Sequence, residues 1–398
     1  MNPELPVLIV GAGPVGLSLA LALSRNGIDV EVFEAEDDLS SEMRASTVHA
    51  STLEMFEEWG VVDKLLEAGK VSDRLQFWER GIRKKIAEFS FSLIAGDTKY
   101  PFRLQCPQNV VTRVLRAELE TVGSCKLHFG QAAHQYVDHG DSVTLRVNSK
   151  GALREVQGSF LVGCDGAHSV VRKQLGFKLS GKTYEDRFLL IGTDIDFSRY
   201  FEGMGPVAYI YDPKEWAILL QLPTIIRTVF RVKPEEDADA IMQDDAIRER
   251  MWALMGTQDD FEIQLKSIYK VHQRVAEKFR EGRVILAGDA AHLNNPAGGM
   301  GLNSGVHDAY LLAHTLIRIF AGESEELLDT YSEQRRKVAD ELIQQASDKN
   351  YKDMVIEDWE GRAERNRAMN SLSKDSGAAR DFLLNAALLP QRPQCQAN

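Results

Sequence analysis

PVLIVGAGPVGLSLALALSRNGIDVEVFE, residues 6–34, decides the fold. Pro6–Val10 is a short unbroken apolar run, the pattern of a parallel strand buried on both faces. Gly11-Ala12-Gly13-Pro14-Val15-Gly16 then opens an apolar helix, Val15 to Ser24, which Asn26-Gly27 stops, and Asp29–Phe33 reads as a second strand. In such a turn Gly11 allows the tight bend, Gly13 lets the backbone approach a pyrophosphate, and Gly16 lets helix and strand pack closely. The phosphates then sit at the positive end of the helix, over Pro14 and Val15. Glu34 follows near the spacing at which an acid meets a ribose hydroxyl. The unit predicts an adenine dinucleotide, without separating a nicotinamide from a flavin.

A second segment makes that choice. Arg283–Ala287 is another buried apolar run, leading into Gly288-Asp289-Ala290-Ala291-His292 and then Pro296-Ala297-Gly298-Gly299-Met300-Gly301-Leu302-Asn303. Asp289 can accept hydrogen bonds from sugar-chain hydroxyls. Gly298, Gly299 and Gly301 let backbone amides approach a flat ring, with Met300 between them and Leu302 just after. A helix beginning near Asn303 would aim its positive end at that ring and stabilise negative charge on a reduced flavin. Two such segments on one chain argue for FAD.

Bulk properties exclude several classes. A chain of 398 residues with 44% hydrophobic and 27% charged residues has room for two or three domains around large cores. A net charge of −12 speaks against nucleic acid and anionic membranes. The basic clusters Arg83-Lys84-Lys85 and Arg335-Arg336-Lys337 stand among acidic residues and read as solvated faces. Four cysteines (106, 125, 164 and 395) have no CxxC spacing, and the histidines no HExxH, so neither disulfide framework nor metal site is expected, and a cytoplasmic location is. The Leu5–Leu23 run lacks a positive flank, and Phe382–Leu389 is too short to span a bilayer, which needs about 20 residues.

The remaining pattern is mixed. A helix is expected over about Val48–Ala68 and another over Val110–Val122, with strands near Leu75, Lys126–Phe129, Val143–Val147 and Ser159–Cys164. Gly205–Val232 reads as a meander turned at Asp212-Pro213-Lys214-Glu215 and at Pro223-Thr224. After Asn303 everything reads as helix, including Asp348–Ala368, with a frayed tail from Pro390.

With these motifs in this order, roughly the first 340 residues resemble the para-hydroxybenzoate hydroxylase-type flavoprotein monooxygenases. Met43-Arg44-Ala45 matches the family's arginine near the FAD phosphates, and Gln108, opening QNVVTRVL, sits where the family contacts the ribityl region. Gly163-Cys164-Asp165-Gly166 and the run on to Arg172 are similar to the family's DG motif, tied through Asp165 to FAD and nicotinamide. Tyr331 and Arg335-Arg336 resemble the post-motif helix. Asn295-Pro296 stands where many members carry a proline pair, which places Pro296 near flavin C4a and leaves the substrate open. The resemblance implies a FAD-binding Rossmann-like α/β domain interleaved with a β-sheet substrate domain. The expected parts are 1–74, 104–178 and 276–345 for FAD, 75–103 and 179–275 for substrate, and a helical 346–398.

It also implies hydroxylation of a phenolic or N-heteroaromatic substrate with NADH or NADPH and O2, through a flavin C4a-hydroperoxide. The nicotinamide would dock without a nucleotide fold of its own, and a homodimer is allowed. Tyr209 and Tyr211 share one face of the meander, Arg227 and Arg231 one face of a neighbouring strand. Aromatics plus a cation suit an acidic aromatic ring. His168 and His292 read as backbone-bonded turn histidines. Arg172 reads equally as an internal ion pair or a nicotinamide-phosphate contact. The rivals are another FAD oxidoreductase on the same fold (a reductase, epoxidase or dehydrogenase), a plain nicotinamide dehydrogenase, and a non-catalytic flavin-binding protein. A halogenase is disfavoured by the absence of WxWxIP.

Overall fold

The structure, a computed structural model, describes residues 5–393 except 214 and 297, and only the backbone over 342–347. Lys214, Ala297, Cys395 and the end of the tail from 394 lie outside the described residues.

One sheet runs in the order Arg280–Glu281, Val284–Leu286, Phe160–Gly163, Val7–Val10, Val30–Phe33, Cys125–His128. Its neighbours are parallel except for the first pair. The central strands are apolar throughout because both their faces are covered. A Cβ on Gly16, at the start of the Pro14–Arg25 helix, would lie 3.3 Å from the Ile9 side chain. A Cβ on Gly158 would meet the side chain of Leu8, the preceding residue, at 2.4 Å. Gly158 ends a three-stranded meander, Gln131–Asp138, Val143–Ser149 and Ala152–Gly158, whose Val143, Leu145 and Val147 join the same core. The Pro14–Arg25 helix packs on the Gln108–Leu119 and Met300–Phe320 helices.

The second sheet has eight strands. Their order is His292–Leu293, Ile263–Ala276, Leu179–Thr193, Ile226–Val232, Ala217–Gln221, Val207–Tyr211, Arg74–Glu79, Lys84–Ser90. All pairs are antiparallel except Val207–Tyr211 with Arg74–Glu79. Strand alternation sends Val207, Tyr209 and Tyr211 to one face, where Met354, Ala379, Leu383 and Ala387 from the C-terminal helices cover them. Ala208 and Ile210 go to the other, under Met251 and Leu254 of the Asp244–Met255 helix. Neither face of the expected meander is solvated.

Several boundaries differ from the sequence reading. The expected Val48–Ala68 helix is two, Ala50–Glu58 and Val62–Ala68, because Gly60 takes a left-handed φ of 61° between them. Met300, not Asn303, begins the late long helix, behind Gly299 at φ 69°. The 348–368 stretch breaks where Asp358 caps a new helix by accepting the Gly361 N–H at 2.7 Å. The long strands Leu179–Thr193 and Ile263–Ala276 and the Asp244–Met255 helix were not anticipated. No helix among the described residues is long and apolar enough to cross a membrane.

Candidate active site

The first glycine turn is built by close approach. Gly11 has φ 103°, and a Cβ there would fall 2.5 Å from the Cys164 carbonyl oxygen; one on Gly16 would fall 2.1 Å from the Gly11 oxygen. Gly13 differs, since a Cβ there meets nothing within 4 Å. Glu34 Oε2 accepts the Ala12 N–H at 2.8 Å and Oε1 the Glu36 N–H at 3.1 Å. The carboxylate thus holds the turn while keeping lone pairs for a ligand.

The second glycine segment lies against the first. A Cβ on Gly288 (φ 63°) would sit 2.8 Å from the Val15 side chain, and one on Gly305 2.6 Å from it. Val15 is therefore wedged between the Gly288 turn and the Met300–Phe320 helix. Gly301 opens onto free space, as Gly13 does. Asp289 is solvent-accessible, yet deep enough in this groove that desolvation raises its carboxyl pKa against the opposing charges of His292 and Arg44. Pro296 is exposed and its carbonyl accepts the Gly299 N–H at 2.9 Å. Met300 and Leu302 are buried. Asn303 spends its side chain on backbone: Oδ1 accepts from His49 N at 2.9 Å, and Nδ2 donates to Thr47 O at 2.8 Å and Gly299 O at 2.6 Å.

Beneath this loop lies a buried network. Asp308 Oδ2 accepts the Gly288 N–H at 2.9 Å and faces His292 Nε2 at 2.7 Å, while Oδ1 accepts from Arg335 Nε at 2.6 Å. Burial alone would raise the Asp308 pKa, but His292 and Arg335 outweigh it and hold the carboxyl at about 2. Two expectations change. His292 bonds a carboxylate rather than backbone, and Arg335 is an enclosed counter-ion rather than part of a solvated face, because Asp308 draws both inward.

The other motif residues close the groove. Asp165 Oδ2 caps the Val170–Gln174 helix by accepting Val170 N at 2.7 Å and Val171 N at 3.3 Å, while its Oδ1 is buried without a partner. Arg172 donates to Ala290 O and Ala167 O, each at 2.9 Å, so its fork clamps the DG turn to the Gly288 segment. His168 is exposed. Gln108 begins its helix with its N–H on Ala45 O at 2.8 Å, and Asn109 Nδ2 holds Ser41 O at 3.0 Å. The 41–45 strap is thereby fixed over that helix. Arg44 extends from it, exposed, with Glu42 at 2.5 Å.

Of the substrate candidates, Tyr209 and Tyr211 are buried, Tyr209 stacked on Phe77 with centroids 5.3 Å apart and Tyr211 under the Arg365 guanidinium at 3.7 Å. Arg231 is committed elsewhere, to Asp186 at 2.6 Å and Glu357 at 3.3 Å. Arg227 is not. It is buried beside Tyr269, with Nη2 on the Arg44 carbonyl at 2.8 Å and with Nε and Nη1 unpartnered. Sequence reasoning missed His49, Arg103 and Asp308. Only the polar–apolar–polar run Arg103-Leu104-Gln105 hinted at one of them.

Two helices, Pro14–Arg25 and Met300–Phe320, thus start side by side with N-caps, Gly13 and Gly299, that carry no side chain to satisfy the first N–H groups. Open space adjoins both. Such donors suit phosphate at one end and an electron-rich ring at the other, so the residues present fit FAD. Fold and groove together define a flavin-nucleotide oxidoreductase. Residues 4–346 match the family model described as FAD binding domain. The chain is 33% identical over 395 residues to para-nitrophenol 4-monooxygenase of Pseudomonas sp. (strain WBC-3), covering 97% of this chain and 96% of that one. It is 31% identical over 390 residues to 6-hydroxy-3-succinoylpyridine 3-monooxygenase of Pseudomonas putida, covering 96% and 98%. The crystal structure of p-nitrophenol 4-monooxygenase from Pseudomonas putida DLL-E4 superimposes with a TM-score of 0.91 at 31% identity, over 97% of this chain and 98% of that one. The protein belongs to the para-hydroxybenzoate hydroxylase-type family of FAD-dependent aromatic monooxygenases.

Proposed function

We propose that this enzyme hydroxylates a small phenolic or N-heteroaromatic ring at the expense of NADH or NADPH and O2. The observation that carries the reading is a pair of uncapped helix starts with open space at Gly13 and Gly301, together with a buried sheet face that offers Tyr209 and an unpaired guanidinium, Arg227. Two relatives aligned over nearly the full chain are named for oxygenation of a nitrophenol and a hydroxypyridine.

In this reading the amides following Gly13 hold the pyrophosphate and Glu34 a ribose hydroxyl. Arg44, Gln108, Asp165 and Asp289 line the middle of the cofactor, and the 296–303 loop lies along its ring. The bound cofactor supplies reduction by NAD(P)H and activation of O2 for attack on a ring carbon. The start of the Met300–Phe320 helix stabilises negative charge beside it. The second sheet and the C-terminal helices exclude water and orient the substrate ring. The nicotinamide docks in the cleft, because the second sheet, antiparallel in all pairs but one, offers no nucleotide-binding turn of its own among the described residues.

We keep the division 1–74, 104–178 and 276–345 for FAD and 75–103 and 179–275 for substrate, with 346–398 as the C-terminal segment. Three unpaired thiols among the described residues favour a reducing cytoplasm. A homodimer is allowed, and light scattering reads whether one forms. The deciding test is a panel of phenols and hydroxypyridines scored together for NAD(P)H consumption, O2 uptake and product mass. A product heavier by one oxygen atom supports the proposal. If no aromatic compound accelerates NAD(P)H oxidation, the hydroxylase reading falls.

A further inference from the structure

The Ala50–Glu58 helix opens on a residue that does not cap it. His49 is its N-cap, a position where Ser, Thr, Asp or Asn would satisfy a first-turn N–H, yet its side chain makes no such bond. It reaches instead to the flavin loop, 249 residues further along the chain. The residue is 0% exposed, and Nε2 lies 3.0 Å from Gly298 O. A carbonyl only accepts, so Nε2 carries the proton. Burial and the nearby Arg103 push the imidazole pKa well below its ordinary value and keep the ring neutral. Nδ1 is buried without a partner, so the ring spends its hydrogen bonding on the loop. The backbone N–H of His49 donates to Asn303 Oδ1 at 2.9 Å, and Asn303 Nδ2 in turn holds Gly299 O at 2.6 Å.

Two consecutive peptides are thereby fixed by their carbonyl ends, one by His49 directly and one through Asn303. In a trans peptide the N–H points opposite to the C=O. Holding Gly299 O on Asn303 therefore turns the Met300 N–H towards the start of the Met300–Phe320 helix, which has no side-chain cap and borders open space at Gly301. The Gly298–Gly299 peptide is the one a glycine pair leaves free to turn. Both residues are in the left-handed region, with φ of 102° and 69°, and glycine populates either sign of φ about equally. Gly299 N–H, on Pro296 O at 2.9 Å, closes the turn from one side, and His49 holds it from the other. Without the imidazole that peptide can rotate, and its oxygen then brings partial negative charge towards a helix start that is otherwise positive.

We propose that His49 is a positioning residue for the flavin: it fixes the orientation of the Gly298–Gly299 peptide and, through it, the reduction potential of the bound ring. This rests on the reading above that the 296–303 loop lies along that ring. A loop whose carbonyls are turned back favours the reduced, more negative flavin over the oxidised one. Releasing the peptide removes that bias.

Two variants separate this role from a structural one. His49→Asn supplies a better N-cap, so the helix is kept, but its amide is too short to reach Gly298 O. His49→Gln is long enough to offer that carbonyl an N–H. Hydrogen exchange of the apoprotein should show residues 296–303 exchanging faster in His49→Asn than in wild type, with the Val7–Val10 strand unchanged. The midpoint potential of the FAD-loaded His49→Asn enzyme should fall by about 30 mV, the two-electron equivalent of a tenfold loss in preference for reduced flavin. His49→Gln should restore most of both shifts. A merely structural histidine would alter thermal stability and leave the potential where it was, and that result overturns the proposal. Unchanged exchange of the loop in His49→Asn overturns it as well. FAD should also slow exchange over 296–303 in wild type. If FAD gives no such protection, the placing of the loop along the ring falls and the proposal with it; a protected loop with an unchanged potential in His49→Asn overturns the proposal alone.

Discussion

Substituting Asp308 by Asn tests how the flavin loop is held. The carboxylate is 0% exposed and faces three donors: Gly288 N–H, His292 and an Arg335 that is itself 2% exposed. Asn fits the space but removes the charge that Arg335 neutralises, and an uncompensated buried ion costs about 3–5 kcal/mol. Against a net stability of about 5–15 kcal/mol, that is a large fraction. Urea unfolding of the apoprotein should show the loss directly. Flavin fluorescence should show weaker FAD binding, since the Gly288 turn loses its anchor. Removing both charges with Asp308→Leu and Arg335→Met should recover much of the stability, because no buried ion is then stranded. The reasoning fails if Asp308→Asn unfolds within about 0.5 kcal/mol of the parent, the usual range for a neutral surface change. It fails equally if the double variant is no better than the single one. The same network sets an acid limit. The folded carboxyl sits at about 2, below its ordinary 3.8. Its contribution is therefore complete above about pH 4 and is lost as pH falls towards 2, worth roughly 2 kcal/mol in an unfolding series across that window.

Gly288→Ala should destabilise by about 1–3 kcal/mol, since φ 63° disfavours any Cβ and this one would press on Val15 at 2.8 Å; Val15→Ala in the same chain should relieve part of it, as thermal unfolding would read. Arg227→Ala should raise KM for an acidic aromatic substrate about tenfold or more while changing a neutral one little, and equal effects on both would remove Arg227 from the substrate site. Arg231→Ala should instead lower stability by stranding the buried Asp186, with the ratio of acidic to neutral KM unchanged.

How much could be read in advance follows from how local each requirement is. The turns at Gly11–Gly16 and Gly288 impose backbone conformations that a six-residue window reveals, and the apolar runs beside them identify strands covered on both sides. The alternation of Val207, Tyr209 and Tyr211 was equally plain. The role of Arg335 was not. Asp308 lies 27 residues away from it, and both look like ordinary helix-surface residues until the Gly288 turn folds over them. Arg103 was hidden further. Its strand has three residues, too few for periodicity, and a carbonyl 283 residues later helps to enclose it. The exposed strands Gln131–Asp138 and Ala152–Gly158 carry little apolar patterning because few of their side chains enter a core.

The Ser376–Ala386 helix gives the molecule an order of assembly. Phe382 rests on Phe89 with centroids 4.4 Å apart, and Ala386 supplies the carbonyl that Arg103 holds. Synthesis proceeds from the N-terminus, so every segment that meets the adenylate half leaves the ribosome before this roof does. Protein clipped ahead of residue 376 should stay coloured yet squander reductant, releasing peroxide in place of a hydroxylated ring.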